Sequence, residues 1–387
     1  MTKTSELLNA SPSGRLVATI SGQQAYVPNP LPRQLALSPS TVYVLDQASR
    51  AVATLAGIGE TLQNPHLLIR PFLRREAVLS SRIEGTQTSI SDLFLYEASE
   101  RPPGPGDARE VANYIHALEH GLHMLDTLPI CLRLLNEMHA QLLQGVRGED
   151  RRPGELRTSQ NWIGSRGTPI EEARFVPPPP GLVLELLSDW ERFVNEDIEM
   201  PPLVQCALMH YQFEAIHPYD DGNGRIGRVL IILYLCARRV LTTPLLYLSA
   251  YFDRNRDAYY DQLFNVSARG DWEAWLRYFL DGVTEQASDA AARSRRMRVL
   301  HEQHRDLLQQ RRESANVLRL LDELFVNPFI TAPRAHRLLG VTREAARRIL
   351  GRLTQAGILT YSFGSWPRVF VARELLEAIE RPTAAEQ

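Results

Sequence analysis

The stretch "FEAIHPYDDGNGRIGR", Phe213 to Arg228, joins an imidazole, carboxylates, an amide, three glycines and two arginines in a short segment. Glycine disfavours regular helix, so residues 221–225 are predicted to form a loop. The sequence that follows, "RIGRVLIILYLCARR", is apolar at helical spacing. A flexible loop is therefore expected to open directly onto the N-terminus of a buried helix.

Such a helix end is suited to bind an anion. Its first backbone N–H groups lack partners, its dipole is positive, and glycine lets a phosphate approach the main chain. Arg225 and Arg228 lie three residues apart, so they share a face of the first turn. Two guanidinium groups on one face can bind a polyphosphate through charge-assisted hydrogen bonds. There is no GxxxxGK[ST] motif, so the pattern is not a P-loop.

The flanking polar residues add catalytic chemistry to this anion site. Asp221 at the mouth of the loop is placed to hold Mg²⁺ against phosphates, and the Asn223 amide can donate to a phosphate oxygen. His217 ends the preceding helix before Pro218 and can take a proton from an attacking hydroxyl. Each residue alone also fits a structural role in a turn, whereas turn chemistry gives no reason for two arginines on one face.

The ordered set resembles the signature of the Fic family of protein adenylyltransferases, His-Pro-Phe-x-Asp/Glu-Gly-Asn-Gly-Arg-x-x-Arg, from His217 to Arg228. One position departs from it, because Tyr219 stands where the family has Phe. A buried tyrosine needs a partner for its hydroxyl, and we expect the change to be tolerated. The resemblance covers residues 41–285 and implies a mainly α fold: a Fic-type helical core with a small β-hairpin flap.

The resemblance also implies a reaction and a role for each matched position. ATP is the co-substrate, Mg²⁺ the metal, and AMP passes to a Ser, Thr or Tyr hydroxyl of a protein, with the chain itself as one candidate. Pyrophosphate is released. His217 is the base and Asp221 binds the metal, while the loop binds the α-phosphate and the arginines bind the β- and γ-phosphates. The predicted phosphate-binding set is Gly222, Asn223, Gly224, Arg225, Gly227 and Arg228.

Two further segments resemble parts of the family's substrate sites. Residues 162–176 resemble the flap that aligns a target segment as an added strand, although the pattern equally fits an ordinary surface hairpin. Asn255, Tyr259 and Tyr260 resemble residues around the adenine pocket, where aromatic faces stack on a base. Either tyrosine fits a core position equally well. Gln212, just before the motif, is a candidate to face the nucleotide.

The stretch "SSRIEG", Ser80 to Gly85, matches the family's inhibitory pattern Ser/Thr-x-x-x-Glu-Gly/Asn. Ser80 and Glu84 are four residues apart on one helical face, and Gly85 suits the end of that helix. In relatives with this arrangement the glutamate pairs with the second motif arginine, here Arg228. The resemblance therefore predicts an autoinhibited enzyme, whereas the glutamate alone would suggest a surface ion pair.

The remaining sequence suggests four regions. Residues 1–40 predict loops and short extended pieces, and helical periodicity begins at Thr41. The C-terminal part reads as helix, short helix, turn, helix and two short strands, which is typical of a winged helix-turn-helix. The predicted regions are 1–105 with the inhibitory motif, 106–285 as the catalytic core, 286–312 as an exposed connecting helix, and 313–387 as the winged helix.

A different class of function is a DNA-binding regulator whose Fic core senses nucleotide. The third C-terminal helix carries Arg343, Arg347, Arg348 and Arg352, and residues 365–368 from Ser365 would form a wing. Such modules also contact proteins, and these arginines also fit a solvated face. Within the enzyme class, transfer of another nucleotide or of phosphocholine remains an alternative, because the motif recognises phosphates better than bases.

Composition limits the other classes. The 387 residues carry a formal charge of −2, so no chain-wide attraction to nucleic acid or anionic membrane is expected. The three cysteines are widely separated among apolar residues, which favours reduced thiols over disulfides or zinc. The N-terminus lacks a signal-peptide core, and the apolar run 229–237 is too short to cross a bilayer. We expect a cytoplasmic protein without membrane contact; the sequence leaves homodimer formation open.

Overall fold

The computed structural model describes residues 7–60, 66–99, 106–164, 167–361 and 368–381. The structure is mainly helical, as predicted. The N-terminal elements are β1 Gly14–Ala18, β2 Gln24–Pro28, α1 Pro39–Glu60, α2 His66–Ile83 and α3 Ile90–Ser99. The central elements are α4 Asp107–Met124, α5 Leu132–Leu142, α6 Pro180–Asn195, α7 Pro202–Ile216, α8 Asn223–Ala237, α9 Ser249–Arg254 and α10 Arg256–Arg269. The C-terminal elements are α11 Trp272–Gln310, α12 Ala315–Val326, β3 Phe329–Thr331, α13 Ala332–Leu339, α14 Arg343–Gln355, β4 Thr360–Tyr361, β5 Val369–Val371 and α15 Arg373–Glu380.

The N-terminal region contains an antiparallel hairpin that the sequence did not predict. Strands β1 and β2 pair with Arg15 opposite Val27, and the turn between them is closed by a bond from Thr19 N to Gln23 O. Tyr26 N also donates to Val176 O at 2.8 Å, which joins the hairpin to the segment before α6. The extended pieces were expected, but their pairing depends on contacts with distant segments.

Helices α7 and α8 form the centre of the fold. Nearly all residues of both helices are buried, because both are apolar around most of their circumference. Helix α7 ends at Ile216, where His217 adopts a left-handed conformation and Pro218 follows. Helix α8 begins after Gly222, whose φ of 81° is readily adopted only by glycine. The predicted loop between two buried helices is therefore present.

The core and the predicted connecting helix are continuous. Helix α11 runs for 39 residues without a break and includes both the end of the predicted core and residues 286–310. Its C-terminal half is only partly exposed, since Arg293, Met297 and Leu308 are buried. The helix therefore runs through the predicted boundary at 285, and one face of residues 286–310 packs on the C-terminal region instead of facing solvent.

In the C-terminal region the three helices α12, α13 and α14 and the strands β4 and β5 follow in the predicted order, while β3 and α15 were not predicted. Helix α13 ends at Gly340, which has a φ of 65°, and α14 begins after Thr342, whose side chain caps it. The small sheet has the order β3-β5-β4 and is antiparallel. Residues 362–367, including the predicted wing position Ser365, lie outside the described residues. The region packs on α3 through a bond from Asn327 Nδ2 to Phe94 O.

No helix within the described ranges is both long enough and apolar enough to cross a membrane.

Candidate active site

An open cleft with a volume of about 890 Å³ lies at the N-terminus of α8. It is bounded by the end of α7, the segment after α2, the predicted flap and helix α10. The predicted site residues that line it are His217, Asp221, Gly224, Arg228, Glu84, Tyr259 and Tyr260. The structure thus brings together residues that are as much as 176 positions apart (84 to 260).

His217 stands at the edge of this cleft on a constrained backbone. Its φ of 51° is uncommon outside glycine, and its main-chain N–H still bonds Phe213 O at 3.0 Å. Burial, and next the charge of Arg157, lower the pKa of His217 to about 4, although Glu84 and Asp221 act in the opposite direction. The imidazole is therefore neutral at physiological pH and able to accept a proton.

Asp221 is partly exposed at the mouth of the cleft, with 35% of its side chain accessible. Its Oδ1 accepts hydrogen bonds from Gly222 N at 2.6 Å and from Arg225 Nη2 at 3.2 Å. Among the described residues no group of three or more His, Cys, Asp or Glu is arranged to hold a metal. One partly exposed carboxylate at the mouth of this cleft nevertheless fits Mg²⁺, which is commonly held by one or two carboxylates together with phosphates and water.

Asn223 serves the loop and does not reach the cleft. Its Oδ1 accepts from Tyr219 N and its Nδ2 donates to Tyr219 O, both at 2.8 Å. The side chain is 2% exposed. Both ends of the amide thus hold the loop in shape, and the contact of this amide with a phosphate stays a prediction.

Arg225 also lies away from the surface of the cleft. It is fully buried behind the loop, where it contacts Asp221 and lies 3.7 Å from Glu110 Oε2. It is absent from the cleft lining. Its Nε and Nη1 have no hydrogen-bond partner among the described residues. Arg225 is thus positioned to hold Asp221 in place, and its contact with a phosphate stays a prediction.

Arg228 forms the predicted pair with Glu84. Its Nη2 lies 2.8 Å from Glu84 Oε1, and its guanidinium also donates to Ser80 Oγ at 2.8 Å and to Ser80 O at 3.0 Å. Arg228 is 2% exposed and Glu84 30% exposed. Burial alone would raise the pKa of Glu84, but the charge and hydrogen bond of Arg228 outweigh it and lower that pKa. The pair is therefore ionised and partly desolvated.

Two glycines of α8 allow carboxylates to approach the helix closely. A Cβ on Gly224 would collide with Glu84 Oε1 and lie 3.0 Å from Arg228 Nη1. A Cβ on Gly227 would collide with Glu214 Oε1. Gly224 lines the cleft as predicted, whereas Gly227 is absent from its lining and makes room for Glu214.

Glu214 and His139 are site residues that sequence reasoning missed. Glu214 lines the cleft with a buried Oε1 that has no hydrogen-bond partner among the described residues. Burial raises its pKa to about 8, with Glu84 adding to the shift and Arg228 opposing it. His139 bonds Asp221 O through Nε2 at 2.9 Å and accepts from Gly154 N through Nδ1. No local pattern signals either role, since the partners are distant in sequence.

The predicted adenine pocket is only partly assembled. Tyr259 and Tyr260 line the cleft, and the Tyr259 hydroxyl is 2.8 Å from His210 Nε2. Asn255 is absent from the lining and donates to Tyr251 O at the junction of α9 and α10. Gln212 is buried and donates to Asn29 O at 3.0 Å. The structure therefore does not bring Asn255 or Gln212 to the cleft.

Within the described residues, the two arms of the predicted flap pair through one isolated antiparallel bridge. Ile163 and Phe175 exchange two main-chain bonds of 2.8 and 3.2 Å, and a 3₁₀ turn, Ile170–Glu172, lies between them. The four consecutive prolines from 177 provide no N–H for a longer ladder. Trp162, which lines the cleft, is 43% exposed.

The tyrosine that departs from the family signature has the partner it requires. Tyr219 is fully buried, and its hydroxyl donates to Asn136 Oδ1 at 2.8 Å. Its ring stacks on His139 with centroids 3.9 Å apart.

We expect Tyr219→Phe to lower the free energy of unfolding by about 0.5–1.5 kcal/mol, because one buried hydrogen bond is lost. The loop between α7 and α8 should stay in place, since the ring contact and the bonds from the main chain of Tyr219 to Asn223 are unchanged. Urea denaturation followed by circular dichroism measures this change. An unaltered stability would show that the bond to Asn136 contributes nothing.

Comparison with known proteins agrees with this geometry. Residues 42–123 match the model of the Fic/DOC family N-terminal region and residues 129–235 match that of the Fic/DOC family. Protein adenylyltransferase Fic of Culex quinquefasciatus is 32% identical over 162 residues, which cover 41% of this chain and 29% of that protein. Protein adenylyltransferase fic-1 of Caenorhabditis briggsae is 31% identical over 144 residues, 37% of this chain and 25% of the relative. The chain thus spans less than a third of these relatives' length.

Two solved structures share the fold. A Fic family protein from Desulfovibrio desulfuricans has a TM-score of 0.57 at 18% identity, covering 87% of this chain and 97% of that one. A Fic domain containing signaling protein from Bacteroides thetaiotaomicron has a TM-score of 0.52 at 17% identity, covering 65% and 96%. The two family matches include both the signature, His217 to Arg228, and the stretch around Glu84. Residues 42–123 and 129–235 of this chain are therefore similar to the N-terminal region and the Fic region of the Fic/DOC family.

Proposed function

We propose that this chain is an autoinhibited protein adenylyltransferase, which transfers AMP from ATP to a hydroxyl of a protein. The observation that carries the proposal is the placement of a neutral imidazole, His217, in one cleft with the N-terminus of α8 and Arg228. A base and an anion site side by side are what transfer of a phosphoryl-linked group to a hydroxyl requires. The names of the relatives support the choice of AMP as that group.

The chemistry assigns one task to each group. The hydroxyl oxygen attacks the α-phosphorus, an oxygen–phosphorus bond forms, and the bond to the bridging oxygen of the β-phosphate breaks, releasing pyrophosphate. His217 takes the proton of the hydroxyl. The N–H groups at the start of α8 and the guanidinium of Arg228 bind the phosphate oxygens. Asp221 would hold Mg²⁺, which neutralises phosphate charge when bound.

We assign recognition of the nucleobase to Tyr259 and Tyr260. Tyr260 is partly exposed in the cleft beside Tyr259, so its aromatic face is available to a purine. Stacking favours purines in general and does not select adenine. Competition of ATP with GTP, CTP and CDP-choline in the transfer assay therefore decides between AMP and the alternative groups.

Inhibition is assigned to Glu84. Its carboxylate occupies Arg228 and lies against Gly224 at the helix end. Both positions are needed by phosphate oxygens in the mechanism above.

The proposal is tested by incubating the Glu84→Gly variant with labelled ATP and Mg²⁺, first alone and then with candidate protein substrates. Mass spectrometry then locates an added AMP on a hydroxyl, including any on the chain itself. The control is Glu84→Gly combined with His217→Ala under the same conditions. Label on the control, or modification of groups other than hydroxyls, would contradict the proposal.

Replacement of Asp221 by Asn tests the metal assignment. The amide keeps an acceptor toward Gly222 N but removes the negative charge, so Mg²⁺-dependent transfer should be lost. AMP incorporation is measured against Mg²⁺ concentration in the Glu84→Gly background, with thermal unfolding as a check that Arg225 remains in place. Transfer with an unchanged Mg²⁺ dependence would remove Asp221 from the metal site.

The C-terminal region carries a second candidate function, DNA binding. Arg343 and Arg347 are exposed on α14, and no ion pair within the described ranges engages them. Arg348 and Arg352 are also exposed but pair with Glu344 and Glu313. A helix with exposed arginines after a turn suits the phosphates and base edges of a major groove.

A gel shift at increasing salt tests this second function. DNA binding through phosphates should weaken steeply as salt rises, and Arg343→Ala with Arg347→Ala should abolish it. Retention of adenylyl transfer by that double variant would show that the two functions are separate. No shift at low salt would leave the region as a contact for proteins.

A further inference from the structure

We infer that Arg157 is a positioning residue, which fixes the catalytic base and both ends of the flap in one frame. The inference rests on the proposed function of His217 as base. Arg157 lies between α5 and the flap and is 2% exposed. No pattern in the sequence marks it.

Among the described residues, the guanidinium of Arg157 donates only to main-chain carbonyls. Nε bonds His217 O at 2.9 Å, and Nη2 bonds Ile216 O at 3.4 Å and Pro178 O at 2.5 Å. Nη1 bonds Ser159 O at 3.3 Å. In addition, the main-chain N–H of Arg157 donates to Pro218 O at 3.0 Å. Within the described residues no carboxylate lies within ion-pair distance of it.

These carbonyls belong to the end of α7 and to the two ends of the flap, which Asn161 also joins to the loop through its Nδ2 bond to Tyr219 O at 3.0 Å. Ile216 and His217 end α7, where carbonyls lack helical partners and the helix dipole is negative. Ser159 and Pro178 stand at the two ends of the flap. A planar fork of donors satisfies all four at once, which a lysine ammonium cannot do. Arg157 therefore links the backbone of the base to the loop that borders the target side of the cleft.

The backbone of His217 needs such support. Its left-handed conformation is unfavourable for a residue with a side chain and persists only where the surroundings hold it in place. A displaced imidazole would no longer meet the hydroxyl in line with the α-phosphate. A shift of about 1 Å at a reacting group can cost about 100-fold in rate.

The charge of Arg157 also favours the neutral form of the His217 imidazole. After burial, it is the largest influence that lowers the pKa of His217. The charged groups that oppose it are Glu84, after α2, and Asp221, on the loop before α8. Burial lowers the pKa of Arg157 itself to about 10, with Asp220 opposing, so it stays charged at neutral pH. Removing this charge should raise the pKa of His217 and move the acid limb of the rate profile to higher pH.

The test compares Arg157→Met and Arg157→Lys in the Glu84→Gly background. We expect Arg157→Met to lower kcat about 100-fold with KM for ATP nearly unchanged, and to shift the acid limb upward. Arg157→Lys keeps the charge, so its kcat should fall while the acid limb stays in place. Guanidinium ion added to Arg157→Ala should restore part of the rate. Equal loss of ATP binding and rate in all variants, without a pH shift or rescue, would overturn the inference.

Two controls separate the effect of Arg157 on His217 from a general loss of stability. Arg293→Met removes another fully buried arginine, which donates to Ile379 O far from the cleft; it should lower stability without moving the pH profile. NMR titration of the His217 imidazole reports its pKa without any turnover, and needs only a folded chain. If Glu84→Gly shows no transfer, the proposed function fails, whereas an upward pKa shift in Arg157→Lys would contradict the inference on Arg157 alone. Where Arg157→Met does not fold, the Lys variant and the rescue decide.

Discussion

Replacement of Glu84 by glycine is expected to raise AMP transfer about 5- to 150-fold, the range that corresponds to a usual coupling of about 1–3 kcal/mol between linked sites. The physical reason is the ion pair between Glu84 and Arg228, in which Glu84 Oε1 lies 2.8 Å from Arg228 Nη2. While it is formed, the guanidinium is not available to the terminal phosphate, and the α-phosphate need not lie in line with the hydroxyl. Most changes near an active site lower the rate, so an increase is diagnostic.

The measurement is AMP incorporation at equal protein concentration for wild type and three variants. Glu84→Gly combined with Arg228→Ala should be inactive, because the released arginine is then absent. Glu97→Gly is the matched control: Glu97 pairs with Arg74 at 2.8 Å in the same N-terminal helices but is absent from the cleft lining. If Glu84→Gly is no faster than wild type, or Glu97→Gly is equally activated, inhibition by the Glu84 pair is wrong.

Removal of the imidazole is expected to have the second large effect. His217→Ala should lower transfer about 10²- to 10⁴-fold, the usual contribution of a positioned general base. ATP binding should stay within a few-fold, because the N-terminus of α8 and Arg228 are separate from the imidazole. His217→Asn is the better-matched variant, since asparagine tolerates the left-handed backbone that His217 adopts.

Both quantities are read in the Glu84→Gly background, where Arg228 is available. Calorimetry with a non-hydrolysable ATP analogue gives binding, and label incorporation gives transfer. A parallel loss of binding and transfer in both variants would mean that His217 holds the loop together and is not the base. The pH dependence offers a further check: transfer should fall only as the pH approaches the lowered pKa of His217, about 4.

The local features of the site could be predicted from sequence, and its partners could not. The loop and the helix start at Asn223 follow from glycine and from apolar spacing over neighbouring residues. The Glu84–Arg228 pair came from the family resemblance, because nothing in local periodicity joins positions 144 residues apart. Arg225 and Asn223 were placed on phosphates because their side chains suit anions. In the structure, Arg225 donates to Asp221 Oδ1 and Asn223 donates to Tyr219 O.

Larger elements were missed for a related reason. The β1–β2 hairpin is stabilised by Val176, which lies far along the chain, so short strands without strong alternation gave no signal. The unbroken α11 was divided because its charged half looked solvated. Packing of that half on the C-terminal region supplies the burial that composition did not suggest. Arg157 and His139 contribute through main-chain carbonyls, and sequence spacing carries no record of such contacts.

Because position 224 has no side chain, inhibition is expected to depend on the nucleotide concentration as well as on the sequence. Glu84 Oε1 occupies the space that a Cβ at position 224 would need. Under the proposed function, a carboxylate and a nucleotide in its reactive pose exclude each other there. The apparent affinity for that pose is then reduced by the fraction of molecules whose Glu84 has withdrawn. Transfer would thus depend both on the ATP concentration and on the fraction of molecules whose Glu84 has withdrawn, so the degree of inhibition would not be fixed.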